Sequence, residues 1–289
     1  MGSGLKSRLA KPARLLRRAA RRARQTLRYG ALSASPVFFA NSFPKSGTHL
    51  LTQVLQGFPQ FTPTVDSGMP AIVTFQGETG LPRSSGAIIH DLQRLLPGDI
   101  AYGHLHALPE VVDFLCKPSV AVYFILRDPR DVVISHVHYV TEMEPNHIHH
   151  RYYTQELHTF DERLRTSILG LPDPAIPFPD ICQRFLPYLG WIDHPEVLTL
   201  RYEDFLTNRL EALGSVYDHA VQRGLPPLAS RAESIQMLES SIDPQRSPTF
   251  RSGKAGGWRT QFSPDNKQLF KDTAGNLLIQ LGYERDHDW

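Results

Sequence analysis

The run Ser42-Phe43-Pro44-Lys45-Ser46-Gly47-Thr48-His49 has the residue types and spacing of an anion cradle. It follows the apolar stretch Pro36-Val37-Phe38-Phe39-Ala40 and leads into Leu50-Leu51-Thr52-Gln53-Val54-Leu55, so it reads as the loop between a strand and a helix. Backbone N–H groups at a helix N-terminus point at a bound anion, and the helix dipole favours negative charge there. Lys45 adds a mobile cation and Ser46 and Thr48 add hydroxyl donors, with Gly47 and His49 completing the loop. Such a loop is suited to the 5′-phosphate of a nucleotide.

Two further stretches fit the same anion chemistry. Arg127 ends the apolar run Val120-Ala121-Val122-Tyr123-Phe124-Ile125-Leu126, and Ser135 lies eight residues on. With Asp128 as N-cap and Pro129 at the first helical position, Ser135 falls about two turns into a helix, where it can face the same crevice as Arg127. A guanidinium fork and a hydroxyl suit a phosphate monoester. The third stretch, Phe250-Arg251-Ser252-Gly253-Lys254-Ala255-Gly256-Gly257-Trp258-Arg259, sets glycines among cations, so that backbone amides can wrap a phosphate. Each stretch alone also fits a structural or flexible role; three in one chain narrow the reading.

The first loop is not Walker A, which places lysine after its second glycine, whereas Lys45 precedes Gly47. It resembles instead the 5′-phosphosulfate loop of the sulfotransferases that use 3′-phosphoadenosine 5′-phosphosulfate (PAPS). Arg-Asp-Pro-Arg-Asp-Val-Val-Ile-Ser-His resembles that family's 3′-phosphate motif, and residues 250–259 resemble its cofactor-closing loop, with Ser252, Gly257 and Arg259 departing from the usual residues. By this resemblance Lys45, Ser46, Gly47, Thr48 and His49 hold the 5′ side, while Arg127, Ser135, Arg251, Ser252 and Gly253 hold the 3′-phosphate. Trp258 packs near the adenine, as does Tyr202 in Leu200-Arg201-Tyr202-Glu203-Asp204-Phe205. PAPS is the implied sulfuryl donor, no metal is required, and Lys45 stabilises charge as the 3′,5′-diphosphate leaves. The general base is expected to be His104, since Gly103-His104-Leu105 with Leu108-Pro109 resembles the segment that carries the family's catalytic histidine. His106 is a rival.

Other readings remain open at this stage. His136, His138, His147, His149 and His150, with Glu142 and Glu144, could ligate zinc, although surface histidines near an acceptor pocket are the preferred reading. An ATP-dependent kinase and a non-catalytic nucleotide-binding module are the alternatives to a sulfotransferase. The acceptor is a small molecule, lipid or carbohydrate that the sequence does not specify, bound by residues 63–90 and 141–180.

These groups need a scaffold. Strands at 36–40, 100–104, 120–126 and 197–202 alternate with helices at 50–55, 108–115, from 129, from 203 and at the C-terminus, while 141–180 reads as an irregular excursion. The expectation is a single-domain α/β fold over 33–289, with a mainly parallel central sheet flanked by helices and a P-loop-like nucleotide-binding core. Residues 1–30 hold ten of the 31 Lys/Arg and no acid, which leaves 21 basic against 29 acidic side chains elsewhere. Leu16, Ala20, Ala23 and Leu27 recur at helical spacing within this arm (1–32), which is expected to be helical or disordered and to offer peripheral contact to anionic membrane. No nucleic-acid partner is expected. Two cysteines, no signal-peptide core and no run long enough to span a bilayer indicate a cytoplasmic protein.

Overall fold

The computed structural model describes residues 3–76, 79–171, 178–247 and 253–289, with side chains from residue 16 onward. The chain runs through α1 (Ser3–Tyr29), β1 (Val37–Ser42), α2 (Thr48–Leu55), β2 (Val65–Asp66), β3 (Ile72–Val73) and α3 (Ser85–Leu92). It continues through β4 (Asp99–His104), α4 (Pro109–Leu115), β5 (Val120–Leu126) and α5 (Pro129–His138), the last extended by a π-helical turn at Tyr139–Met143. Then come α6 (His150–Gln155), α7 (Phe160–Leu169), α8 (Ile181–Phe185) and β6 (Val197–Arg201). The remaining helices are α9 (Asp204–Thr207), α10 (Arg209–Gln222), α11 (Arg231–Ser240), α12 (Trp258–Gln261) and α13 (Pro264–Gln280).

The strands pair in parallel in the order β2-β4-β1-β5-β6, with β3 also beside β4. β5 is buried along its whole length, because helices cover both faces of the sheet. Its side chains alternate: Val122, Phe124 and Leu126 join one apolar core, and Ala121, Tyr123 and Ile125 the other. Each buried valine, leucine, isoleucine or phenylalanine side chain among them contributes about 1.5–3 kcal/mol. The register aligns Asn41 with Gly103 and Phe124, Ser42 with Ile125, and Leu126 with Arg201. The loops after β1, β4, β5 and β6 therefore leave the sheet at one edge. From β1 the chain goes first to the β4 side and then to β5 on the other side, and ligands bind at such a reversal.

Two expectations need amendment. Residues 141–180 are largely helical: the π turn, α6 and α7 occupy much of the segment, and residues 172–177 lie outside the described residues. A capping box pairs Thr159 with Glu162 at the start of α7, a signal present in the sequence but masked by nearby prolines and histidines. The arm is helical, and it docks through its polar side. Arg18 and Arg22 both pair with the fully buried Asp99 at the start of β4, and Arg21 pairs with Asp66 at 2.9 Å. Gln25 donates to the Pro59 carbonyl and Tyr29 to that of Gln60. The stripe of Leu16, Ala20, Ala23 and Leu27 is left facing outward. No described helix is long and apolar enough to cross a membrane.

Candidate functional site

The first loop is shaped by local backbone conformation. Lys45 and Gly47 both have left-handed φ, 68° and 101°, which turns the chain sharply into α2. A Cβ at Gly47 would also lie 2.6 Å from the Tyr202 ring, so glycine is required twice over. Ser46 is fully buried, and its hydroxyl has no partner among the described residues. Ser42 Oγ and Thr48 Oγ1 share a 2.7 Å hydrogen bond beneath the loop. The Lys45 ammonium sits 3.6 Å from the centroid of Tyr139, on the turn after α5. Burial, and then the Arg127 charge, lower its pKa to about 8. Burial and the Lys45 charge hold His49 below the usual histidine range.

Arg127 leaves the end of β5 and lies 4.6 Å from the Tyr202 ring centroid. It donates to the Lys254 carbonyl at 2.8 Å and stands 3.5 Å from Asp131. Asp131 in turn accepts the backbone N–H groups of Gly256, at 2.7 Å, and Trp258, at 3.0 Å. The second and third motifs are thus tied together by a carboxylate to which the sequence analysis assigned no role. Ser135 lies half-buried on α5, and Gly253 turns the third loop with a left-handed φ of 60°. Arg251 and Ser252 lie outside the described residues. Trp258 is buried against the Arg130 guanidinium, 3.7 Å from its ring centroid, and against Trp289. Arg130 is held by Asp128 at 2.7 Å and Glu284 at 2.5 Å, which fixes the start of α5 beneath the third loop.

His104 ends β4 opposite the first loop. Its Nδ1 lies 3.1 Å from the Ser42 carbonyl and 3.1 Å from Ser42 Oγ. A carbonyl only accepts, so Nδ1 carries the proton in that bond and Nε2 keeps its lone pair. Burial, outweighing the Ser42 bond and reinforced by the His49 and Lys45 charges, lowers the His104 pKa to about 4, so the ring is neutral at pH 7. The strand end is pinned: Asn41 donates to the Leu105 carbonyl at 3.0 Å and accepts the Leu105 N–H at 2.8 Å, while Trp191 donates to the same carbonyl at 2.7 Å. Gly103 admits the close approach of β3, since a Cβ there would lie 2.1 Å from the Ile72 carbonyl oxygen. His106 is set differently, its ring 5.2 Å from that of Phe75 and 4.8 Å from that of Tyr188, with burial lowering its pKa to about 4.

The histidines of 136–150 are not the surface set that the sequence suggests. His136 and His149 are buried and His147 half-buried, and the three rings face one another, whereas His138 pairs with Glu142 at 2.8 Å and His150 bonds to the Val140 carbonyl. Sequence reasoning also missed Ser42, Asn41, Tyr139 and Asp131. Ser42 and Asp131 stood inside recognised motifs, and none of the four carried a signal separating it from an ordinary strand, turn or helix residue.

No family model matches the sequence, and no curated protein matches it. Solved structures do. Retinol dehydratase in complex with androsterone and the inactive cofactor PAP is 18% identical, with a TM-score of 0.57 over 84% of this chain and 80% of that one. Mouse sulfotransferase SULT7A1 complexed with PAP is 20% identical, with a TM-score of 0.57 over 87% of this chain and 92% of that one. Retinol dehydratase in a complex with retinol and PAP is 17% identical, with a TM-score of 0.58 over 84% of this chain and 81% of that one. The chain has the fold of these proteins, a single α/β domain on a mainly parallel sheet.

Proposed function

We propose that this chain is a PAPS-dependent sulfotransferase that moves a sulfuryl group to the hydroxyl or amine of a small acceptor. One observation carries the reading: the second and third loops are joined, Arg127 to Lys254 and Asp131 to Gly256 and Trp258, and Tyr202 packs against both Arg127 and Gly47 of the first loop. A site built to distinguish a 3′-phosphate needs the second and third loops, which a nucleoside triphosphate would not use. That disfavours the kinase reading, as does the order of Lys45 and Gly47. All three similar structures hold PAP, the desulfated donor, in agreement with this assignment.

In the proposed reaction the acceptor oxygen attacks sulfur in line, a new S–O bond forms, and the bond from sulfur to the 5′-phosphate oxygen breaks. His104 Nε2 takes the acceptor proton. Lys45, with the amides of Ser46 to Thr48, offsets charge growing on the leaving oxygen. The bound donor is itself anionic, so it favours protonated Lys45 and raises the basicity of His104 toward the working range. His106, set among aromatic rings, is assigned to the acceptor wall. Because related folds hold androsterone or retinol, a small hydroxyl-bearing molecule is the proposed acceptor class.

Calorimetric titration with adenosine 3′,5′-diphosphate, beside ADP, tests the cofactor. Preference for the 3′-phosphate, weakened about 10–100-fold in Arg127→Ala, is the expected result, since a bond to a charged group is worth about 1.5–3 kcal/mol. Equal binding of ADP would sink the assignment.

The exposed stripe on α1 supports a second, separate reading, peripheral seating of a cytoplasmic enzyme on anionic lipid. Leu16 is 71% and Leu27 89% exposed, and Arg17, Arg24 and Arg28 flank them in solvent. Cosedimentation with phosphatidylserine vesicles, lost in Leu16→Asp/Leu27→Asp, tests it; no sedimentation of the unaltered protein would dismiss it.

A further inference from the structure

We propose that His136, His147 and His149 form a binding site for zinc or a similar transition-metal ion, independent of sulfuryl transfer. It reverses the expectation that these histidines serve only as surface groups. Their ligand nitrogens all lie within 4.8 Å of one another. Metal–nitrogen bonds of about 2.0–2.1 Å in a tetrahedral centre put the ring centroids about 5.2 Å apart. The observed separations are 5.0 Å for His147–His149, 5.9 Å for His136–His147 and 6.0 Å for His136–His149. Small ring movements therefore close the set on one ion.

Two independent observations point to a ligand. His149 is only 5% exposed, yet neither of its ring nitrogens has a partner among the described residues. His136 Nδ1 bonds Ser167 Oγ at 2.9 Å, and Ser167 Oγ bonds Tyr153 Oη at 2.8 Å. That bond orients the ring and leaves Nε2 for an ion, the arrangement in which an outer hydrogen bond fixes a ligating imidazole. His147 alone has a contact to surrender, a 3.2 Å bond that its Nδ1 accepts from the His149 N–H.

The surroundings select the metal. Glu144 acts on His147, but Lys45 and Arg184 bring positive charge to the cluster, so binding must come from imidazole donation rather than from net charge. That favours zinc, cobalt, nickel or copper over magnesium or calcium. Three protein ligands leave a fourth position for water or an oxygen of a small molecule. The centre stands one aromatic ring from Lys45: Tyr139 lies 5.7 Å from His147 and 3.6 Å from the Lys45 ammonium.

The test uses the full chain free of any polyhistidine tag. Zn²⁺ is titrated by calorimetry, and Co²⁺ by its visible absorption, which is intense only for a tetrahedral ion. The expected result is one site with Kd of about 1 μM or tighter, no response to Mg²⁺, and at least about 100-fold weaker binding in His149→Ala and His147→Ala. His138→Ala, which lies outside the cluster, should bind as the unaltered protein does. Melting curves establish that each variant is folded, and adenosine 3′,5′-diphosphate titration reads the sulfotransferase assignment separately, so either can fail alone. No saturable Zn²⁺ binding by the folded protein, or equal binding in the His147 and His149 variants, would overturn the proposal.

Discussion

The loop from Phe43 to Thr48 and the segment from His136 to Tyr153 meet at Lys45, yet they are built in different ways. The loop depends on its own backbone: left-handed Lys45 and Gly47, a helix that starts at Thr48, and a buried serine hydroxyl beneath. The segment depends on what other elements bring to it. Ser167 of α7 orients His136, and Phe178, beyond α7, packs 4.8 Å from His136 and 4.4 Å from His149. An anion cradle can be written in consecutive residues because helix N-termini and turns are local structures. A cluster of neutral histidines cannot, because its protonation is set by desolvation, which only packing supplies.

The comparison is broken most severely at the two groups assigned to the reaction itself. His104→Ala should lower kcat by about 10²–10⁴-fold, while His106→Ala should act mainly on KM; a reversed pattern in steady-state kinetics would move the base to His106. Lys45→Ala should lower kcat by about 10²–10³-fold, the range for loss of one preorganised charge stabiliser. Single-turnover measurement at saturating donor separates this from weakened binding.

The pH profile sharpens the contrast. In the proposed reaction His104 acts unprotonated and Lys45 protonated, so kcat/KM should be flat between about 4 and about 8 and fall tenfold per unit on either side. Lys45→Arg should remove the alkaline limb while leaving the acid one. The folded pKa of Lys45 lies below its ordinary 10.5, so the buried ammonium opposes folding at neutral pH. Stability should therefore gain from this residue as pH rises from about 8 toward 10.5, a gain absent in Lys45→Met. The smallest effect is at the junction: Tyr139→Leu removes a cation–π contact worth about 0.5–2 kcal/mol that favours the charged ammonium, and should lower the Lys45 pKa further and change kcat by less than about 30-fold.

Much of the framework was legible. The uninterrupted run 120–126 read as a strand buried on both faces, and the Asp128–Pro129 pair marked the start of α5; both are found. The excursion at 141–180 was misread because histidines and prolines obscured the apolar spacing of α7, where Leu164 and Ile168 turn inward. In the arm the helical stripe was legible but its orientation was not. Asp99, eighty residues away, draws Arg18 and Arg22 inward because a buried carboxylate must be paired, and so turns the leucines out. Asn41 and Ser42 gave no sign that they would hold Leu105 and His104, since their partners arrive only when β4 is laid beside β1.

By itself, then, the sequence determined the four long strands, the turn after β1, the starts of α2, α4 and α5 and the cations near them, all properties of residues within a few positions of one another. Tertiary structure decided which lone pair of His104 is free, which face of α1 meets the body and which histidines share a buried space. Those outcomes turn on desolvation and on partners from distant strands and helices, and neither exists until the sheet has assembled.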